Sequence, residues 1–249
     1  MKKSTWHTHD VSGIFFAKLE PAIFRPGIHP DEDGRRCEDR LRESEAERFI
    51  DMFWLSETPV TQRQWKRLMG ESNRPWETDG DELPVTGATL EEINYFLDLL
   101  NLEPKTKTLG LHYRLPTESE WEYACRAGRS ELRPGGVVAL ASHWVEGLPR
   151  PEFPAPVKRV KANSWGLYDM IGCVWELCQP EAGCPLAARG GSYLSPEGDC
   201  RSGARWEIDC ERSQLVGFRV AQSMRIDAFN PVAVPGFAER FAAWSKENL

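Results

Sequence analysis

Three times along this chain a threonine is followed, three residues later, by a glutamate or glutamine at the start of a short apolar run. In PVTQRQWKRLMG the pair is Thr61 and Gln64, and Gly70 closes the run. In TLEEINYFLDLLN it is Thr89 and Glu92, with Leu90, Ile93, Phe96, Leu97 and Leu100 on one face. In PTESEWEYACRAG it is Thr117 and Glu120, closed by Gly128. Each is a capping box, in which the hydroxyl and the carboxylate or amide satisfy two orphan backbone donors reciprocally. The pattern predicts three short helices. Strand signals are shorter still: Gly13–Leu19, Phe49–Leu55, Ala188–Tyr193 and Gly217–Ala221 are apolar runs bounded by turn residues.

Between these elements lie long stretches rich in Gly, Pro, Ser and charge, and that much irregular chain needs a device to hold it, such as metal or buried indoles. Ten tryptophans are present. They suit a loop-rich core that leans on large rigid rings, and equally a Trp-lined ligand surface. Asp31–Arg48 is charged at thirteen of eighteen positions, which reads as a solvated loop or helix face.

The chain has 249 residues, 41% of them hydrophobic and 28% charged, as expected of one large or two small globular domains rather than a disordered chain. A net charge of -7 argues against a nucleic-acid grip, which needs a basic stripe. No run of eighteen apolar residues offers a membrane span. The start, MKKSTWHTHDVSG, lacks an apolar segment behind its lysines, so a cytoplasmic protein with residues 1–12 as an N-terminal tail is expected. The seven cysteines (Cys37, Cys125, Cys173, Cys178, Cys184, Cys200 and Cys210) are an odd number with no C-x-x-C pair, which favours buried free thiols over disulfides or a zinc knot. Of the histidines His7, His9, His29, His112 and His143, the His7-Thr8-His9-Asp10 run reads as mobile tail rather than a metal clamp.

Five segments taken in order resemble the formylglycine-generating enzyme (sulfatase-modifying factor) family: ETPVTQRQW, LPVTGATLEEINYFLDLLN, YRLPTESEWEYACRAG, NSWGLYDMIGCVWEL, and RGGSYLSPEGDCRSGAR with GFRVA. The resemblance runs from about Gly13 to Ala221. It implies an α+β, C-type-lectin-like domain over residues 13–222, poor in regular structure, with residues 223–249 as an extension.

The resemblance also implies a site. The family's enzymes use two cysteines with four residues between them to bind copper and oxidise a substrate cysteine, because two soft thiolates suit Cu(I). Here the second cysteine is matched by Cys200, but the first position is Ser195, so copper and standard formylglycine formation are not expected. Trp175 and Ser192 match the rest of that neighbourhood. Cys173 and Cys178 have the same spacing as the family pair, and Cys210 lies ten residues past Cys200; either is an alternative source of a thiol pair. Asp169 and Glu176, with the carbonyls of Gly172 and Val174, resemble a family calcium site built from hard oxygen donors. The competing reading is that Asp169 caps a turn and Glu176 pairs with an arginine. The family's other calcium loop is matched by the short, altered ASHWVEGLPRPEF and is not carried over. Nonheme iron, held in related enzymes by an added N-terminal helical domain, is disfavoured.

Three functions follow. One is a ligand- or protein-binding module without oxidase activity, using Tyr193, Leu194, Glu197, Arg205, Trp206 and Ile208, residue types common at binding hot spots. Another is an oxidase or oxygenase of the same family with altered metal ligation. The third is a scaffold subunit, because Phe237, Phe241 and Trp244 recur at helical spacing and form an aromatic stripe that must be buried against this domain or a partner.

Overall fold

All three capping boxes close as expected. In the computed structural model, which describes residues 6–27, 47–128, 151–179, 185–208 and 212–224, the helices are α1 (Gln62–Met69), α2 (Leu90–Leu102) and α4 (Glu118–Arg126). In each, the threonine accepts the backbone N–H three residues on, while that residue's side chain accepts the threonine's own N–H. A short helix that the sequence analysis did not anticipate, α3 (Pro104–Thr108), follows α2 directly, with proline in its first turn where a missing N–H costs nothing. The stripe of Phe237, Phe241 and Trp244 lies outside the described residues, as do Cys37, Cys184, Cys210, His29 and His143.

The first sheet has five antiparallel strands: β1 (Trp6–Thr8), β2 (Phe15–Leu19), β5 (Phe53–Ser56), β11 (Ala221–Met224) and β6 (Leu111–Arg114), in that spatial order. A second sheet is ordered β10 (Val216–Phe218), β7 (Trp175–Leu177), β8 (Ala187–Arg189) and β9 (Arg205–Glu207), with only β10 and β7 parallel. A ribbon of β3 (Ala22–Phe24) and β4 (Arg48–Ile50) completes the strands.

Side chains alternate across a strand, and β2 shows the consequence: Phe16 belongs to one apolar cluster, Ala17 and Leu19 to another. The first sheet therefore carries a core on both faces. On one face Trp65 stacks on Phe96 with centroids 5.3 Å apart, and both meet Phe218 edge-on. The buried indoles also hold irregular chain. Trp65 Nε1 donates to Asn73 O (2.8 Å), Trp76 Nε1 to Asp79 Oδ1 (2.9 Å) and Trp121 Nε1 to Glu176 Oε2 (2.6 Å). Among the described residues no helix is long and apolar enough to cross a membrane.

Several sequence expectations are corrected here. Phe49–Leu55 is two strands in different layers, β4 and β5. The GFRVA run is also split, Gly217 and Phe218 lying in β10 and Ala221 in β11, because Arg219 turns inward between them. The run expected over Ala188–Tyr193 ends at Arg189, where Gly190 (φ 96°) turns the chain; a Cβ there would come within 2.5 Å of Met170 O. The N-terminal tail does not extend to residue 12. Trp6–Thr8 pairs with β2, Trp6 opposite Ala17 and Thr8 opposite Phe15. His7 stacks on Phe16 (5.2 Å), and His9 is buried with Nδ1 accepting the Ser12 N–H.

Burial pushes both His7 and His9 below the ordinary histidine range, and for His9 the attraction of Glu103 and Asp10 only partly offsets it. A histidine held neutral in the fold takes up its proton more readily when unfolded, so stability rises with pH and falls as pH drops below about 6.5. Urea unfolding midpoints should be level above neutrality and decline toward mildly acidic pH. His9→Gln, which keeps an acceptor for Ser12, should flatten the decline; an unchanged slope would exclude His9 as the cause.

Candidate functional site

The segment after β8 is a tight turn stapled to the chain just before β7. Ser192 pairs with Cys173 in an isolated bridge, and Tyr193 N–H donates to Cys173 O (2.9 Å). Ser195 then folds back on Ser192: Ser192 N–H donates to Ser195 Oγ (2.9 Å), the two hydroxyls lie 3.1 Å apart, and Ser195 N–H donates to Ser192 O (2.9 Å). Both serines are buried. The Ser195 hydroxyl is thus engaged within its own turn.

Cys200 is fully buried beneath that turn, with Sγ 3.9 Å from both Ser192 O and Ser195 O. A Cβ on Gly191 (φ 76°) would sit 3.0 Å from the sulfur, so the glycine lets the backbone close over it. Cys125, Cys173 and Cys178 are buried as well, and burial pushes their thiols upward, away from the reactive thiolate. Cys173 and Cys178 flank the ends of β7, about 16 Å apart along an extended strand and on opposite faces. They do not make the alternative thiol pair allowed by their spacing, and Cys210 lies outside the described residues.

Trp175, on β7, is buried with its ring 5.7 Å from that of Trp206 on β9. The expected binding residues divide into two sets. Tyr193 is buried rather than exposed, and Leu194 is half-buried with its N–H on Ser192 Oγ. Glu197 opens a single 3-10 turn, Glu197–Asp199. Arg205 is held by Glu118 (2.8 Å) and Glu207 (2.5 Å), so its charge is already matched. Trp206 and Ile208 are half-buried. Ile208 joins Leu177, Leu186 and Val216 in lining a cleft of about 330 Å³ against Thr89 and Leu90 at the start of α2.

The two carboxylates differ in their surroundings. Glu176 has no exposed surface: Arg219 donates Nε to Oε2 (2.6 Å) and Nη2 to Oε1 (2.7 Å), and Trp121 Nε1 also reaches Oε2. Glu176 therefore does pair with an arginine. Asp169 sits in the left-handed region (φ 58°) with Oδ2 accepting the Lys158 N–H (2.6 Å), while Oδ1 is buried without a partner. Burial pushes the Asp169 carboxyl up to about 6; the Lys158 N–H and Arg219 oppose the rise and Glu176 adds to it. Asp169 also borders a cavity of about 20 Å³, room for one water-sized occupant. Gly172 donates to Gly190 O (3.0 Å), and Val174 is buried at the start of β7. A cation fits this set in part. Asp169 offers a vacant oxygen, and Glu176 keeps about one of its four acceptor positions. Among the described residues no group of three or more His, Cys, Asp or Glu side chains could hold a metal.

Arg219, Trp121 and Ser56 organise the site but were missed in the sequence. The available signal was an arginine set inside an apolar run, which has to be paired if that run is buried.

Residues 29–224 match the sulfatase-modifying factor enzyme 1-like domain. The chain is 33% identical over 153 residues to a formylglycine-generating enzyme from Streptomyces coelicolor, covering 43% of this chain and 46% of that one. It is 29% identical over 173 residues to the chaperone protein LppX of Paenibacillus barcinonensis, covering 51% of this chain and 61% of that one. In both cases the match spans less than two thirds of the relative's own length. The structure of PvdO from Pseudomonas aeruginosa superposes with a TM-score of 0.69 over 90% of this chain and 99% of that chain, at 21% identity, a likeness of fold alone. The fold is the α+β, C-type-lectin-like one expected.

Arg219→Met would strand Glu176 as a buried, uncompensated charge, and loss of such a partner costs about 3–5 kcal/mol. Adding Glu176→Gln should recover part of that loss in chemical denaturation. If the double variant is no more stable than the single one, the pair is not what holds this region.

Proposed function

We propose that this chain, which belongs to the sulfatase-modifying factor enzyme 1-like family, is a binding domain that does not carry out copper-dependent thiol oxidation. The observation that carries this reading is Ser195. Five positions before Cys200 stands a hydroxyl already engaged by Ser192 N–H, in place of a soft sulfur. Cu(I) favours thiolate over hydroxyl ligands, and Cys200 itself lies under a closed turn among carbonyl oxygens. That its relatives include a protein named a chaperone as well as enzymes is compatible with a role in binding. The ligand surface we assign is the cleft at Ile208, whose walls set apolar side chains beside Thr89, Glu91 and Ser213 and whose volume is that of a small-molecule or side-chain pocket.

Calcium belongs to the same reading. Asp169 and Glu176, with the carbonyls of Gly172 and Val174, would hold it, and its contribution would be to fix the chain between Lys158 and β7. The support is the partnerless, buried Asp169 Oδ1, an oxygen that calls for a cation, a proton or a water. Calcium would bind only the folded chain and so add to its stability.

Three measurements test these statements. A sulfatase-type cysteine peptide incubated with the protein and copper should yield no formylglycine by mass spectrometry; detection of the aldehyde would overturn the non-oxidase reading. Ser195→Cys should create measurable Cu(I) affinity if the remaining geometry is intact. Thermal melting should rise with added calcium relative to chelator, and Asp169→Ala should abolish the difference. Superimposed curves for the parent chain would remove calcium from the account.

A further inference from the structure

A second cavity lies well away from the Ser192–Cys200 turn, where β1 meets the junction of α2 and α3. It has a volume of about 300 Å³, and its walls include His7, Trp54, Glu103, Leu111, Tyr113 and Gln222. His7 meets Trp54 edge-on (5.9 Å), and His9 meets Tyr113 in the same way (5.2 Å), so paired rings form part of the lining.

The acceptors in these walls include a carboxylate and a buried amide oxygen. Gln222 is fully buried, and its Nε2 donates to Tyr113 Oη (3.0 Å), which orients the amide and leaves Oε1 buried with no close donor, its one interaction being with the His7 ring. His7 Nε2 is likewise buried without a partner. His9 Nδ1 accepts the Ser12 N–H, so the neutral ring carries its hydrogen on Nε2, 2.5 Å from Glu103 Oε2. Glu103 is partly exposed, with 19% of its side-chain surface accessible. Beside it, Asp10 and Lys105 pair at 2.5 Å and neutralise each other. With both histidines neutral, the cavity is left with the single negative charge of Glu103.

We propose that this cavity binds a small organic cation, a primary amine carrying an aromatic or apolar body, with its N–H donors on Glu103 and Gln222 Oε1 and its body against Trp54 and Tyr113. An ammonium group beside aromatic faces gains from their quadrupoles, and a carboxylate adds a charge-assisted hydrogen bond. An anion would meet the Glu103 charge and find no unmatched cation. A neutral ligand of the same shape would keep the apolar contacts and lose the charge. The site is independent of the Ile208 cleft and of calcium.

Titration calorimetry on the full chain at neutral pH, with benzylamine, benzyl alcohol and benzoate as probes of one shape and three charges, tests the assignment. Benzylamine should bind at one site per chain, benzyl alcohol about tenfold more weakly, and benzoate not at all. Glu103→Gln should bring benzylamine down to the level of the alcohol. Because Glu103 also contacts His9, a second variant guards against a folding effect: Leu111→Trp, which fills the cavity from β6, should abolish binding of both ligands without lowering the melting temperature. The proposal is overturned if benzoate binds as well as benzylamine, if neither variant changes binding, or if none of the three probes binds the folded chain.

Discussion

Arg219 holds two sheets and a helix in register. Its guanidinium donates to both Glu176 oxygens on β7, to Ser56 O on β5 and to Tyr168 O, while Trp121 of α4 donates to the same glutamate. Neither partner of the ion pair has exposed surface. A lysine could not substitute, because these bonds need a planar fork with donors in several directions. Taking two charges out of water is costly, and the geometry offsets that cost by satisfying most of the hydrogen-bonding capacity on both sides. Much else follows from this contact. The chain between β10 and β11 must turn inward at Arg219, so the two strands enter different sheets. The loop carrying Tyr168 and Asp169 is then drawn against β7.

A second buried ionic layer lies along α4. Glu122 is bound by Arg126 one turn on and by Arg189 of β8, and it accepts the Gly27 N–H, while Arg126 Nη2 donates to Gly27 O (2.7 Å). Glu118 bridges Arg189 and Arg205 of β9. The helix therefore turns part of its charge inward, and these pairs tie β8 and β9 to it. A domain with strands of three to five residues and helices of five to thirteen cannot rest on ladder hydrogen bonds alone. Buried arginine–carboxylate pairs and indole N–H bonds supply the long-range ties. The result is a mount for the Ser192–Cys200 turn, which is closed by its own hydroxyls.

The candidate sites were legible to different degrees. That Ser195 stands where the family resemblance expects a thiol is visible in the sequence. That the hydroxyl would be engaged by Ser192 and the sulfur covered by Gly191 is not visible, since both follow from how the turn closes. Glu176 was read as either a calcium ligand or an arginine partner; Arg219, forty-three residues away, supplies the partner. The sequence offers Tyr193 and Arg205 as binding residues, but the first is buried and the second is matched by Glu118 and Glu207. The N-terminal histidines look like tail in the sequence, yet they help to wall a cavity whose other groups come from β5, α3 and its N-cap, β6 and β11.

By itself, the sequence determined what depends on a few neighbouring residues. The helices begin at Thr61, Thr89 and Thr117 because a hydroxyl and a carboxylate or amide three positions apart close the first turn locally, and no tertiary contact is needed to place them. The family motifs and the loss of a thiol at Ser195 belong to the same category. Only the tertiary structure decided where apolar runs are cut, which carboxylate is paired and which carries a vacant oxygen, and which polar atoms meet across a cavity. The reason is electrostatic. A buried charge must find its partner wherever the fold puts one: Arg219 meets Glu176, Glu122 meets Arg189 and His9 meets Glu103, each forty or more residues away along the chain.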